Sequence, residues 1–187
     1  MNIKEKFTDI EDYLASLELK MTIFENKESI VPRMSQMSQK TNQFNLTTRR
    51  YTEGDIQNFI NNSNSDVYAF SISDKFGDSG ITGLSIVTAN GSTEMAEIDT
   101  LLMSCRVIGR NLEYAFLNYV IKKINEKKII NLEAKYIKTP KNEQVKEFFD
   151  RSSFGLIDED DSVRNYTLNI NNYEPKQLNY IEVKYGG

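Results

Sequence analysis

Hydrophobic and polar positions follow two different periods along this chain, and the changes between them mark out its elements. Phe7, Ile10, Tyr13, Leu14 and Leu17 recur at helical spacing, and Thr8 stands three residues before Glu11 as a cap. This acidic stretch, residues 1–30, reads as a lead-in helix and linker, with residues 31–187 forming the main domain. After Val31 and Pro32, the positions Met34, Met37 and Thr41 make a thin apolar stripe of the kind that Met fills as core contact. Residues 45–51 (NLTTRRY) alternate as a strand, and Thr52 caps a short helix over EGDIQNFINN. Period-two runs at 67–73 and 80–88 flank a hairpin turn at 75–79, and an Asn-Gly signal at 89–92 leads to a strand at 97–105.

A wide apolar face then predicts a helix over 110–126, carrying Leu112, Ala115, Phe116, Leu117, Val120, Ile121 and Ile124. So broad a face suits a helix laid on a sheet. Residues 129–137 read as a strand, 138–142 as a turn, 143–152 as a helix and 164–170 as a last strand. The order is that of a mixed α/β sheet, not a strictly alternating wound one.

Composition narrows the chemistry. The 187 residues fit one domain. A net charge of −4 gives no electrostatic case for nucleic acid, and no apolar run is long enough to span a membrane. One cysteine excludes an internal disulfide and thiolate zinc clusters, so the expected compartment is cytoplasmic. There is no histidine, which removes Ser–His and Cys–His pairs and His-ligated metal, and no metal is expected. Asp158 and Asp160, within DEDDS, read as a solvated acidic turn.

The stretch EIDTLLMSCRVIGRNLE (97–113) concentrates what remains. A strand that enters a helix through a short Gly-bearing turn directs N–H groups and a positive dipole end at one spot. Arg106 and Arg110 flank that spot, and the only thiol, Cys105, precedes it. A neighbouring cation and a helix N-terminus both favour the nucleophilic thiolate form of a cysteine. Glu97 and Asp99 are candidate bases, and strict alternation puts them on the face of Met103 and Cys105. Six strand residues, roughly 20 Å at ~3.3 Å each, separate Asp99 from Cys105, too far for direct activation.

Arg106-x-x-Gly109-x-Asn111 resembles the Arg/Gln-x-x-Gly-x-Gly/Ala signature of the GNAT acyltransferase fold, and Asn142-x-x-Val145-x-x-Phe148-Phe149 with Phe154 resembles its later motif. Longer strings are similar to the carboxy-terminal half of FkbH-type proteins: EDYLASLELKMTI (11–23), QKTNQFNLTTRRY (39–51), EIDTLLMSCRVIGR (97–110) and YIKTPKN (136–142). The resemblance implies a GNAT-like mixed, mostly antiparallel central sheet with helices on both faces. It also implies an acyl-CoA or phosphopantetheine thioester as cofactor, an acyl carrier protein as partner, and a HAD-type phosphatase-like domain upstream in the parent protein. The family loads a three-carbon glyceryl unit onto the carrier.

On that resemblance Cys105 is expected to accept an acyl group, with Glu97 or Asp99 as catalytic carboxylates. Arg106 and Arg110 would fork onto phosphate, helped by the N–H groups of Val107, Ile108, Gly109, Arg110 and Asn111. Met103 would lie along the pantetheine arm where two strands splay, and Asn142 would hydrogen-bond that arm, unless it simply caps the helix after it. Lys135, Lys138 and Lys141 would offer a basic rim to the acidic carrier. Asn111 stands where the family has Gly or Ala, and Phe149 stands where acetyltransferases often carry an acidic Tyr. A docking module without catalysis is the alternative.

Overall fold

A computed structural model describes residues 3–89 and 94–187, with side chains described from residue 10 onward. The Asn-Gly turn expected at 89–92 therefore falls largely outside the described residues.

Eight strands form one sheet: β1 (Leu19–Glu25), β2 (Ser65–Asp74), β3 (Gly77–Ala89), β4 (Met95–Met103), β5 (Asn131–Ile137), β6 (Gly155–Glu159), β7 (Val163–Asn169) and β8 (Ile181–Tyr185). Their spatial order is β6-β7-β5-β4-β3-β2-β1-β8. Only β4–β5 and β1–β8 run parallel. The helices are α1 (Ile3–Ser16), α2 (Val31–Lys40), α3 (Glu53–Asn61) and α4 (Leu112–Glu126). This is the mixed α/β sheet that the element order predicts, mostly antiparallel with helices on both faces as the resemblance implies.

Side-chain packing divides the two faces. Leu14 and Leu17, at and just after the end of α1, and the seven apolar α4 positions join Phe70, Ile98, Leu132 and Tyr166 in the larger core. Met34 and Met37 of α2 and Ile56 of α3 cover the other face with Val67, Leu84, Ile86 and Leu102. The Met stripe is thus core contact, as its spacing suggests. Thr52 and Asp55 close a reciprocal capping box at the start of α3.

Four sequence expectations are corrected. Residues 1–30 are more than a lead-in: β1 lies inside the sheet between β2 and β8, with Leu19, Met21 and Ile23 buried. Residues 45–51 do not form a strand of the sheet; they make one isolated bridge, Asn45 to Leu102, and Thr48 turns left-handed at φ 55°. Residues 143–152 form two separate 3-10 turns, Glu143–Val145 and Asp150–Ser152, instead of a helix. Strict alternation in β4 also fails. The register against β3 slips between Ile98 and Thr100, a bulge at Asp99. Ala96 and Ile98 face α4 before the bulge, and Leu101 and Met103 face it afterwards. Glu97 and Asp99 are therefore on the face opposite Met103. The edge strands β6 and β8 carry no strong alternation, and sequence reasoning missed both.

Beyond Ile98 and Ala134, β4 and β5 no longer pair. The candidate site lies at the mouth of this opening.

Candidate functional site

Met103 ends β4, and Cys105 begins a 3-10 turn, Cys105–Val107, capped by the Ser104 hydroxyl accepting from the Arg106 N–H. Cys105 is therefore lifted off the strand and exposed. It lies in a pocket of about 460 Å³ with Ser104, with Arg33, Met37 and Lys40 of α2, with Thr41, Asn42 and Gln43, and with Lys141. Arg33 and Lys40 are seven residues apart and so share a helical face.

This pocket is strongly basic and holds no acid. Among the described residues no carboxylate lies within ion-pair distance of Arg33, Lys40, Arg106 or Lys141. Both Nε and Nη2 of Arg33 donate to the Ile81 carbonyl, fixing the guanidinium beside the cavity. Burial, then the Arg106 charge, pushes the Arg33 pKa below the usual guanidinium range. Like charges gathered on one wall without a counter-ion favour an anionic ligand. Sequence reasoning missed Arg33 and Lys40, whose link to Cys105 spans more than sixty residues.

The expected phosphate turn is only partly as anticipated. Gly109 (φ 97°) and Asn111 (φ 62°) are both left-handed and bring the chain sharply into α4. A glycine takes such angles freely, and asparagine tolerates them. The Val107 and Ile108 N–H groups donate to Ser104 and Cys105 carbonyls, so both are used within the turn. The guanidinium groups point elsewhere. Arg110 pairs with Asp74 at 3.2 Å, and Arg106 donates to Ser104 Oγ and to the Ser79 carbonyl. The Asn111 amide donates to the Tyr180 hydroxyl.

Glu113 brings its own carboxylate to the α4 N-terminus. One oxygen is buried without a partner. Burial raises the Glu113 pKa, partly offset by a hydrogen bond from its own backbone N–H. A raised pKa means the native state prefers the neutral acid. Its stabilising contribution is therefore complete below the unfolded-state value and is lost as pH rises through the folded-state value. Glu113→Gln is accordingly expected to raise the melting temperature at pH 8 relative to the native protein, with a smaller gain at pH 4. Paired thermal scans at the two pH values check this.

Asp99 and Asn142 prove to be clamps. The Asp99 carboxylate accepts from Arg49 at 2.6 Å, from the Tyr51 hydroxyl at 2.7 Å and from Thr100 at 2.8 Å. Burial, then the hydrogen bond to Asp99, pushes the Tyr51 phenol well above its usual pKa. The Asn142 amide donates to the Asn45 and Ile137 carbonyls, and its oxygen accepts from Thr139 N–H and the Tyr136 hydroxyl. It is fully buried, with all four bonds inside the chain. Its side chain does not cap the turn that follows.

Glu97 lies beside Glu133 in the paired half of β4 and β5, next to a small cleft of about 160 Å³. The expected catalytic group thus separates: Cys105 sits in the basic pocket, Asp99 is held in a structural network, and Glu97 is at the far end of the strand. Met103 is buried in the α4-side core. Phe149 is likewise buried, packed on Phe148, Phe154 and Tyr166. Asp158 and Asp160 are exposed, and Asp160 accepts from the Ser162 and Val163 N–H groups. Among the described residues there is no cluster of three acidic or thiol groups suited to a metal, and no helix long and apolar enough to cross a membrane.

No family model matches the chain, and no curated protein matches it in sequence. Solved structures do match its shape. The ribosomal-protein-S18-alanine N-acetyltransferase of Escherichia coli aligns with TM-score 0.60 and 11% identity over 80% of this chain and 94% of that one. The PaiA N-acetyltransferase of Thermoplasma acidophilum, solved in complex with coenzyme A, gives 0.59 and 14% over 80% and 98%. A protein from Desulfovibrio desulfuricans assigned to the GNAT family gives 0.57 and 12% over 80% and 99%. The chain has the GNAT acetyltransferase fold.

Proposed function

We propose that this domain is an acyltransferase that carries its acyl group on Cys105 and exchanges it with a pantetheine thiol. The observation that carries this reading is the exposed sole thiol in an acid-free basic pocket of about 460 Å³. The Cys105 thiolate attacks the carbonyl of an acyl-pantetheine donor; the new carbon–sulfur bond forms as the donor thiolate leaves. No carboxylate lines the pocket, so the cysteine proton goes to solvent and the departing thiolate recovers one from solvent. A second thiol reverses the exchange and frees Cys105. Arg33, Lys40 and Lys141 attract the phosphate of the arm, or acidic residues of a carrier protein. The resemblance to FkbH-type proteins makes a glyceryl unit the acyl group, an acyl carrier protein the acceptor, and a HAD-type domain the source of the loaded donor.

A second reading, a silent docking module that recruits carrier protein, is favoured by a different observation. Arg110 is engaged by Asp74, and Glu113 stands at the helix end that an incoming anion would use.

Charge reversal separates the two when transfer and binding are both measured. Lys40→Glu with Lys141→Glu is expected to lower kcat/KM for a carrier-tethered donor by roughly 10- to 100-fold, an effect that weakens with salt. Carrier protein that binds the native domain, with no acyl group ever moving, supports the docking reading instead.

A further inference from the structure

Where β4 and β5 part, three backbone groups face the gap: the Leu101 carbonyl, the Met103 N–H and the Ile137 N–H. All three are bonded by one short piece of the same chain. Leu46 N–H donates to Leu101 O at 3.2 Å, Met103 N–H donates to Phe44 O at 3.0 Å, and Ile137 N–H donates to Leu46 O at 2.8 Å. Phe44 and Leu46 drop their side chains into the α4-side core, and Phe44 meets the Phe148 ring edge-on at 5.7 Å. Asn45, between them, is fully buried.

Both ends of this insert are tied down. Upstream, the Asn45 amide donates to the Thr41 carbonyl, and Asn142 grips the Asn45 carbonyl. Downstream, the Thr47 hydroxyl donates to the Asp99 carbonyl, and Arg49 and Tyr51 hold the Asp99 carboxylate. The β4 bulge supplies that carboxylate, so bulge and insert form one unit.

We infer that residues 44–46 are a built-in plug that seals the β4–β5 gap and determines how a donor approaches. An extended arm carrying amides, such as pantetheine, needs the same Leu101, Met103 and Ile137 groups that the insert already uses. Such an arm therefore does not run between β4 and β5. It engages the domain only from the mouth of the gap, where Thr41, Asn42 and Gln43 pass into the Cys105 pocket. That last step rests on the acyl-transfer reading of Cys105; the sealed gap does not.

Amide hydrogen exchange on the full chain, followed by NMR with and without millimolar coenzyme A and then acetyl-coenzyme A, tests this without any variant. The Leu46, Met103 and Ile137 N–H protons are expected to exchange at least about 10³-fold more slowly than free amides. Their rates and shifts should be unchanged when ligand is added. Faster exchange or large shifts at these three amides on adding coenzyme A would overturn the inference. Acylation of Cys105 is followed in the same samples. A sealed gap beside an unreactive Cys105 refutes the transfer reading while leaving the seal intact, and an opened gap beside an acylated Cys105 does the reverse.

Discussion

Asn142→Ala is expected to destabilise the domain by about 3–5 kcal/mol, the largest loss from any single polar side chain outside the pocket. Its amide makes four hydrogen bonds at full burial, to Asn45, Ile137, Thr139 and Tyr136. Truncation leaves these partners facing a small cavity, and each buried polar group without a partner costs about 1–3 kcal/mol before relaxation. For a chain of this size the melting temperature should fall by about 10 °C. Urea unfolding followed by circular dichroism measures the difference directly. A loss under 1 kcal/mol would mean that Asn142 does not hold the insert to β5.

Replacing Cys105 by alanine has the opposite profile. The side chain is exposed, so stability should change by less than about 0.5 kcal/mol. Acyl transfer should fall by at least about 10³-fold, equivalent to roughly 4 kcal/mol of barrier, because no other thiol exists in the chain. Serine in its place keeps the size but offers a weaker nucleophile at neutral pH, and should restore little. Normal folding with abolished transfer is the signature of a residue that reacts; loss of both would point to packing.

Much of the fold was legible because its strongest signals are local. The α4 face, the paired runs of β2 and β3, and the N-cap at Thr52 each follow from local spacing. Weakly patterned elements escaped. β8 has one buried residue, Ile181, and β6 has none, so neither shows the alternation that marks a half-buried strand. Residues 45–51 alternate as a strand would, yet the hydrogen-bond partners of 44–46 lie more than fifty residues away on β4 and ninety on β5, beyond any local pattern.

The position of the thiol just before a Gly-bearing turn was legible, but the pairing of the charges around it was not. Cys105 precedes the turn into α4, but it begins a 3-10 turn two residues after β4 ends instead of closing the strand. Nothing local indicates that Arg110 is drawn to Asp74 on β2, or that Asp99 serves Arg49 and Tyr51. Those pairings depend on which strands become neighbours and on a one-residue bulge that reverses the faces of Glu97 and Asp99 relative to Met103. The basic wall depends equally on topology. α2 contributes Arg33 and Lys40, the loop after β5 contributes Lys141, and only the folded sheet brings them to Cys105.

The most direct measurement is the mass of the protein after brief incubation with an acyl-pantetheine donor, followed by peptide mapping. One added acyl group is expected, on Cys105, released by hydroxylamine and absent from Cys105→Ala. An acyl group on another residue, or efficient transfer in the absence of any adduct and undiminished in Cys105→Ala, would contradict it.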